Sequence, residues 1–378
     1  MSKLKTILIF YIKSGGGHES AAKAIKKEFT DYNHNIVLID MLSNSPRWVQ
    51  NLFDSGYVDL TENRIWLWLI MNKLWNYRWI NLLSYQILRI VTKSHFENCI
   101  QQYHPEMILS TYFFGEKISQ LTLDKFGIKI PNFTIVTEIF DAPKIWFTFS
   151  GNYIVFSDQA YQVGINQVKN YKQKTHIYRL NYFFNSDFNK LIPRSDNQSN
   201  NTMTKKFSIL ILGGGSSLPK GDRLLMKILE LQYDITVNLV CGRNQKLYEK
   251  CLDLKIENKN LKINLTVWPF TDKIPSLIAN SDLIITKGGP AVIFESLSQI
   301  KPILIYDYIR PQEKGNVDFV LNNNFGFYEP NLNKLKELLS QIINKPEKLN
   351  ECIDTIKKAA IKSSSPDLIK YLQSKINN

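Results

Sequence analysis

Four cysteines in 378 residues, Cys99, Cys241, Cys251 and Cys352, form no C-x-x-C pair. That scarcity excludes a disulfide scaffold and the usual zinc patterns, and it fits free thiols in a reducing compartment. No secretory signal peptide is expected in the first apolar run, which starts at Leu4 and has lysines inside and after it. Asp-x-Asp, a carboxylate pair that holds a divalent cation on a diphosphate, occurs nowhere, so no metal site is expected. The net charge of +13 invites an anionic partner, but no RRM, KH or helix-turn-helix signature accompanies it. Its excess is diffuse, with 21 basic and 15 acidic residues in 1–190 against 26 and 19 in 191–378. No nucleic-acid partner is expected. A composition of 44% hydrophobic and 21% charged residues describes a folded soluble chain, long enough for two domains.

Against these absences stands "YIKSGGGHESAAKAI" (11–25). The apolar run 5–12 before it reads as a buried parallel strand. Ala21, Ala22, Ile25 and Phe29 recur at helical spacing after it, so a helix is predicted to begin near His18 or Glu19. Glycines between a strand and a helix N-terminus let backbone N–H groups approach a ligand. Ser20 replaces the third glycine of a dinucleotide fingerprint, and no Gly-Lys-Ser/Thr closes a P-loop. From this loop alone, His18 is either a functional group or an ordinary helix cap.

The pattern of strand, three glycines and helix returns at "FSILILGGGSSLPKGDRLLMKIL" (207–229). Between the two copies, the polar stretch 195–205 reads as a linker, giving domains at 1–194 and 206–378. Strands are predicted near 35–41, 106–111, 132–139 and 151–157, then 234–242, 263–270, 282–289 and 301–308. Helices near 219–232, 244–253, 272–280 and 290–299 separate the later ones. This alternation predicts α/β architecture, two Rossmann-like domains with ligands at the carboxyl ends of their strands. The last helix is free to pack back on the N-terminal domain.

Residues 64–96 depart from that alternation, with four of the seven tryptophans and no acidic residue. In one helix, Trp68, Trp75 and Trp79 would fall within about 40° of one another. Asn72, Lys73, Asn76 and Arg78 interrupt the apolar residues, so this is no membrane span. A membrane-facing surface of Trp68, Trp75, Trp79, Lys73 and Arg78 would suit an anionic bilayer. The alternative is that the tryptophans are core.

In the second half, "TKGGP" (286–290) turns a strand into a helix whose N-terminus can hold a diphosphate. Glu295 lies one to two turns inside that helix, where a carboxylate can accept from two ribose hydroxyls. "PQEKGN" (311–316) offers Gln312, Glu313 and Asn316 to sugar hydroxyls. A metal-free nucleotide-sugar site accounts for these groups.

These motifs carry a resemblance. "SGGGHESAAKAI", "LGGGSS", "VCGRNQKL", "SDLIITKGGP" and "YIRPQEKGNVDFVL", in this order, resemble family 28 glycosyltransferases of the GT-B fold. Within that family the chain is most similar to the group of monogalactosyldiacylglycerol synthases and processive diacylglycerol glucosyltransferases.

The resemblance implies two Rossmann-like domains facing a central cleft, and a UDP-sugar donor without a metal or other cofactor. Gly15, Gly16 and Gly17 would line the acceptor side, with Glu138 nearby and His18 as general base. Gly213, Gly214, Gly215, Ser216 and Ser217, with Gly288, Gly289, Pro290 and Ala291, would hold the diphosphate. Glu295 would bind ribose; Gly242, Arg243 and Phe270 would frame the uracil; and Gln312, Glu313 and Asn316 would face the sugar. Attack opposite the departing UDP would invert the anomeric centre. Diacylglycerol is the implied acceptor, reached by peripheral association with the cytoplasmic face of a membrane. Three departures fall on the acceptor side or hinge: Glu138 replaces the usual Asp, "STYFFGE" (110–116) lacks His-Pro, and "RLNYFF" (179–184) lacks Gly-x-Pro. An undecaprenyl-linked or other non-glyceride acceptor therefore stays open, as does the 2-epimerase chemistry that shares this fold.

Overall fold

The computed structural model describes residues 4–14, 16–32, 34–169, 171, 174–192, 206–213, 218–258, 260 and 262–376. The chain divides into two compact units. One comprises Met1–Ser186, Arg310–Gln312 and Ser363–Asn378; the other comprises Asp187–Ile309 and Glu313–Lys362. The expected linker lies mostly outside the described residues.

The first unit is built on β1 (Lys5–Tyr11), β2 (His34–Asp40), β3 (Met107–Ser110), β4 (Asn132–Ile135), β5 (Asn152–Val155) and β6 (His176–Arg179). They form one parallel sheet in the order β2-β1-β3-β4-β5-β6. Ile7, Leu8, Ile9 and Phe10 are all fully buried, which is why β1 reads as an unbroken apolar run. Its helices are α1 (Gly17–Glu28), α2 (Arg47–Phe53), α3 (Ser55–Glu62), α4 (Ile65–Leu74), α5 (Arg78–Tyr103), α6 (Gly115–Phe126) and α7 (Asp158–Val168). Phe10 of β1 stacks on Phe96 of α5 at 4.0 Å and fixes that long helix to the sheet.

The second unit repeats the plan with β7 (Phe207–Leu212), β8 (Ile235–Val240), β9 (Ile263–Trp268), β10 (Leu283–Lys287), β11 (Ile303–Asp307) and β12 (Gly326–Tyr328). Its parallel order is β12-β11-β10-β7-β8-β9. The helices are α8 (Gly221–Leu229), α9 (Gln245–Glu257), α10 (Ile274–Asn280), α11 (Pro290–Ser298), α12 (Lys314–Asn322), α13 (Leu332–Asn344) and α14 (Glu347–Ala359). A last helix, α15 (Ser365–Ile376), belongs to the first unit and packs on α1. In each sheet the strand order reverses beside the first strand, between β1 and β3 and between β7 and β10. Ligands of such folds bind at these points.

Two boundaries differ from the sequence reading. The first segment of the first unit ends at Ser186 rather than 194, because 187–192 is held by the second unit's own Gln299. Gln299 donates to the carbonyls of Phe188 (2.9 Å) and Lys190 (3.0 Å) and accepts from Ile192 N–H (2.8 Å). The Trp-rich stretch is two helices, α4 and α5, broken at 75–77. A single 100° period therefore does not carry from Trp68 to Trp79. Trp68 is 3% exposed, with Tyr57 and Trp75 edge-on to it at 5.5 Å each. Trp75 packs against the core of the first unit. Of the three tryptophans expected to face a membrane, only Trp79 is exposed, at 65%. Arg78, which is exposed, stacks over Tyr171 at 5.0 Å.

Candidate active site

In the first unit, the segments following three neighbouring strands converge on one imidazole. Gly16, at φ 80, takes the left-handed conformation that turns the chain out of β1 and into α1. No side chain caps that helix, so His18 is not a cap. Its ring turns instead to the segment after β3, where Nδ1 lies 2.7 Å from the Thr111 carbonyl. Thr111 Oγ1 donates back to the His18 carbonyl at 3.0 Å and completes a two-way clamp. A carbonyl only accepts, so Nδ1 carries the proton and Nε2 keeps the lone pair. Tyr112 sits edge-on to the ring at 5.0 Å, and Trp146 lies at 6.0 Å. Burial pushes the imidazole down to about 4, against a smaller upward pull from the Thr111 carbonyl. The ring is neutral at physiological pH, with a basic nitrogen in place.

The third segment, after β4, brings Thr137 and Glu138. Thr137 Oγ1 is 3.1 Å from His18 Nδ1 and 3.2 Å from Glu138 Oε2. Gln312, which groups with this unit, donates its Nε2 to Glu138 Oε1 at 2.9 Å. The Trp146 indole N–H leans toward the same carboxyl without reaching full hydrogen-bond geometry. Burial lifts Glu138 to about 7, while these donors pull the other way. Thr137 was not singled out in the sequence; its signal is that it precedes Glu138 at the end of a strand beside β3. Gly15 lies outside the described residues, and Gly17 opens onto free space.

In the second unit, two of the expected donor segments follow β7 and β10, the strands that flank the reversal point. Gly213 follows β7, whereas Gly214, Gly215, Ser216 and Ser217 lie outside the described residues. After β10, Gly288 has no room for a side chain: a Cβ there would lie 2.8 Å from Tyr308 Cβ. Gly289 precedes α11 with no side-chain cap, and Pro290 opens the helix, with Ala291 exposed behind it. The first-turn N–H groups of α11 thus lack a side-chain acceptor, as an anion site requires. Asn316 donates to the Gly288 carbonyl at 2.8 Å, and Glu313 Oε2 accepts from Ile309 N–H at 2.8 Å. Both are buried and brace the loops around α11.

Glu295, inside α11, is raised to about 8 by burial alone. After β8, Gly242 takes φ 61, and Arg243 stacks over Phe270 at 5.4 Å. Phe270 is 55% exposed, a flat ring left open on one unit.

Residues 208–370 match the model of the glycosyltransferase family 28 C-terminal domain, and residues 18–163 match that of monogalactosyldiacylglycerol synthase. The chloroplastic monogalactosyldiacylglycerol synthase of Spinacia oleracea is 25% identical over 97% of this chain and 70% of its own. Among solved structures, MurG of Acinetobacter baumannii matches with TM-score 0.59 and 13% identity, over 98% of this chain and 99% of that one. HepE of Anabaena in complex with UDP matches with TM-score 0.57 and 13% identity, over 98% and 100%. These likenesses show the GT-B fold. Together the two family models give the chain, in order, a monogalactosyldiacylglycerol synthase domain and a glycosyltransferase family 28 C-terminal domain.

Proposed function

We propose that the protein is an inverting glycosyltransferase that moves a hexose from a UDP-sugar to the hydroxyl of diacylglycerol. The observation that carries the chemistry is His18, held by its Nδ1–H so that Nε2 can take a proton. The acceptor oxygen attacks C1 of the sugar as its proton passes to Nε2, and the bond from C1 to UDP breaks on the opposite face. Charge then grows on the leaving diphosphate, where the uncapped N-terminus of α11 offers preorganised N–H donors. Glu295 would take the ribose hydroxyls, the Arg243–Phe270 pair the uracil, and Glu313 with its neighbours the sugar. No divalent cation is needed in this scheme. The UDP held by HepE and the product named for the spinach relative support the donor and acceptor classes.

Tyr112 and Trp146 pack beside His18, and Phe113 lies 5.6 Å from Trp146. Aromatic surroundings of this kind favour a neutral hydroxyl flanked by apolar groups over a diphosphate-linked sugar. Such an acceptor stays in its bilayer, and the outer faces of α4 and α5 supply a docking surface. Trp66 is 66% exposed on α4, and Trp79, Leu83, Ile87 and Ile90 are exposed along α5. Lys73 and Lys93 are exposed beside them, which suits an anionic surface. Among the described residues, no helix is long and apolar enough to cross a membrane.

Purified protein incubated with each radiolabelled UDP-sugar and total lipid extract tests the reading. A labelled glycolipid that alkaline cleavage of diacylglycerol esters deacylates supports it. Label on a polyprenyl lipid, or an epimerised UDP-sugar without acceptor, refutes it.

A further inference from the structure

We propose that Thr137 is a positioning residue that couples His18 to Glu138 through its hydroxyl and so holds the imidazole for proton transfer. The proposal rests on the reading of His18 as the base. The direction of each hydrogen bond follows from the chemistry of its partners. Nδ1 of His18 must carry the proton, because its nearer neighbour, the Thr111 carbonyl, can only accept. Thr137 Oγ1, 3.1 Å from the same nitrogen, therefore accepts a share of that N–H. Its own proton is left to donate, and Glu138 Oε2 lies 3.2 Å away to receive it. The result is a directed chain, imidazole N–H to hydroxyl to carboxyl.

A hydroxyl that donates to a carboxylate becomes a better acceptor, so Glu138 strengthens the hold of Thr137 on the ring. The far end of the chain is itself fixed. Gln312 Nε2 donates to the other carboxyl oxygen at 2.9 Å. When Nε2 takes the acceptor proton, the ring becomes a cation in a place where burial opposes charge. The Thr111 carbonyl answers that charge with a dipole, and the Thr137–Glu138 chain answers it with a carboxylate one hydroxyl away. Other ionisable groups near this chain are phenols. Tyr112, from the segment after β3, faces both His18 and Glu138, and Tyr57 of α3 faces Tyr112. Tyr112 is held well above its ordinary value by burial and stays neutral, so it does not compete for the proton. The segment containing Trp146 contributes an indole, which does not titrate.

The test uses the full chain with histidine labelled at the ring carbons, and His18→Ala to assign the His18 signal. Thr137→Val removes the hydroxyl at nearly constant shape, Thr137→Ser restores it, and Glu138→Gln removes the charge. NMR titration is expected to give His18 a lower pKa in the Val variant than in the parent, with Ser close to the parent; Glu138 is already protonated where His18 titrates, so Glu138→Gln is read through the pH profile of kcat. The turnover of Thr137→Val should fall about 10- to 100-fold, with KM for the UDP-sugar little changed, because a hydrogen bond to the charged ring is lost. Thr137→Ser should recover most of it. The parent kcat should rise with pH through about 7 as Glu138 ionises, and Glu138→Gln should lack that limb.

An unchanged His18 titration in Thr137→Val, or a Ser variant as damaged as Val, overturns the coupling. Should Val fail to fold, Glu138→Gln still decides, since a variant that keeps the rise of kcat through about pH 7 overturns the coupling alone. If the titration shifts as expected while the parent transfers no sugar, the coupling stands and the transfer reading falls. The reverse pattern keeps the transferase and discards the relay.

Discussion

Replacing Glu295 by Gln should make the fold more stable in alkaline solution and nucleotide binding weaker. The carboxyl sits inside α11 and is lifted from its ordinary 4.5 to about 8 by burial alone. A carboxyl whose folded-state pKa is raised binds its proton more tightly in the native state than in the unfolded one. Stability is therefore highest below about pH 4.5 with respect to this group, and it falls as pH rises toward 8. Beyond pH 8 the loss is constant, at most about 5 kcal/mol. An isosteric amide carries no such loss. Thermal melts of parent and variant from pH 5 to 9 should therefore diverge, the parent losing ground as pH rises. UDP should reverse the order. If ribose hydroxyls donate to the ionised carboxyl, uridine affinity of the parent should climb with pH through about 8 and that of the variant stay flat. Uridine is the better probe, because it has no phosphate to titrate in that range. Parallel melting curves would show that Glu295 is not desolvated, and a flat uridine affinity in the parent would remove it from the ribose site.

Other perturbations separate binding from chemistry. His18→Ala should lower transfer by about 10²–10⁴ with UDP affinity nearly intact; a variant keeping a third of kcat would dismiss it as the base. Trp66→Ser with Trp79→Ser should release the protein from phosphatidylglycerol vesicles without moving its melting temperature, and unchanged vesicle binding would discard this docking face. Trp68→Ser, a buried ring, should instead cost about 3–5 kcal/mol of stability, read by denaturant titration; a neutral result would contradict its packing. Gly288→Ala should weaken UDP and destabilise by about 1–3 kcal/mol, since Cβ must displace Tyr308, and wild-type behaviour would show the loop to be loose. Treatment with a chelator should leave activity unchanged, and strong inhibition would call for a metal.

Sequence made the sheets legible because parallel strands are buried on both faces and appear as short continuous runs. β1, β7 and β10 were each visible as such. β6 and β12 were not, since "HIYR" and "GFY" are too short and too mixed to stand out. His18 was visible from its place between a glycine turn and a helix. Its partners were not, because strand order brings the segments after β3 and β4 beside β1, across 93 and 119 residues of chain. Periodicity misplaced Trp68 and Trp75 for a local reason. The turn at 75–77 contains no proline or glycine to announce it, so two helices read as one. The roles of Glu313 and Asn316 as loop braces depend on backbone atoms of Gly288 and Ile309, to which no side-chain pattern points.

The assignment of Ser363–Asn378 to the first unit has a consequence for how the chain is made. The second unit, interrupted only at Arg310–Gln312, is inserted between the bulk of the first unit and the segment that carries α15. On the ribosome, α15 is therefore synthesised after residues 187–362, which are complete enough to fold around their own sheet. Until then α1 lacks the neighbour it packs on, and Lys5 lacks the Ile376 carbonyl that it reaches at 3.1 Å. The first unit starts first and finishes last. A stalled or clipped chain ending before 363 would present a finished second unit attached to an open first one with exposed apolar surface. Such a species is prone to aggregate and to be captured by chaperones.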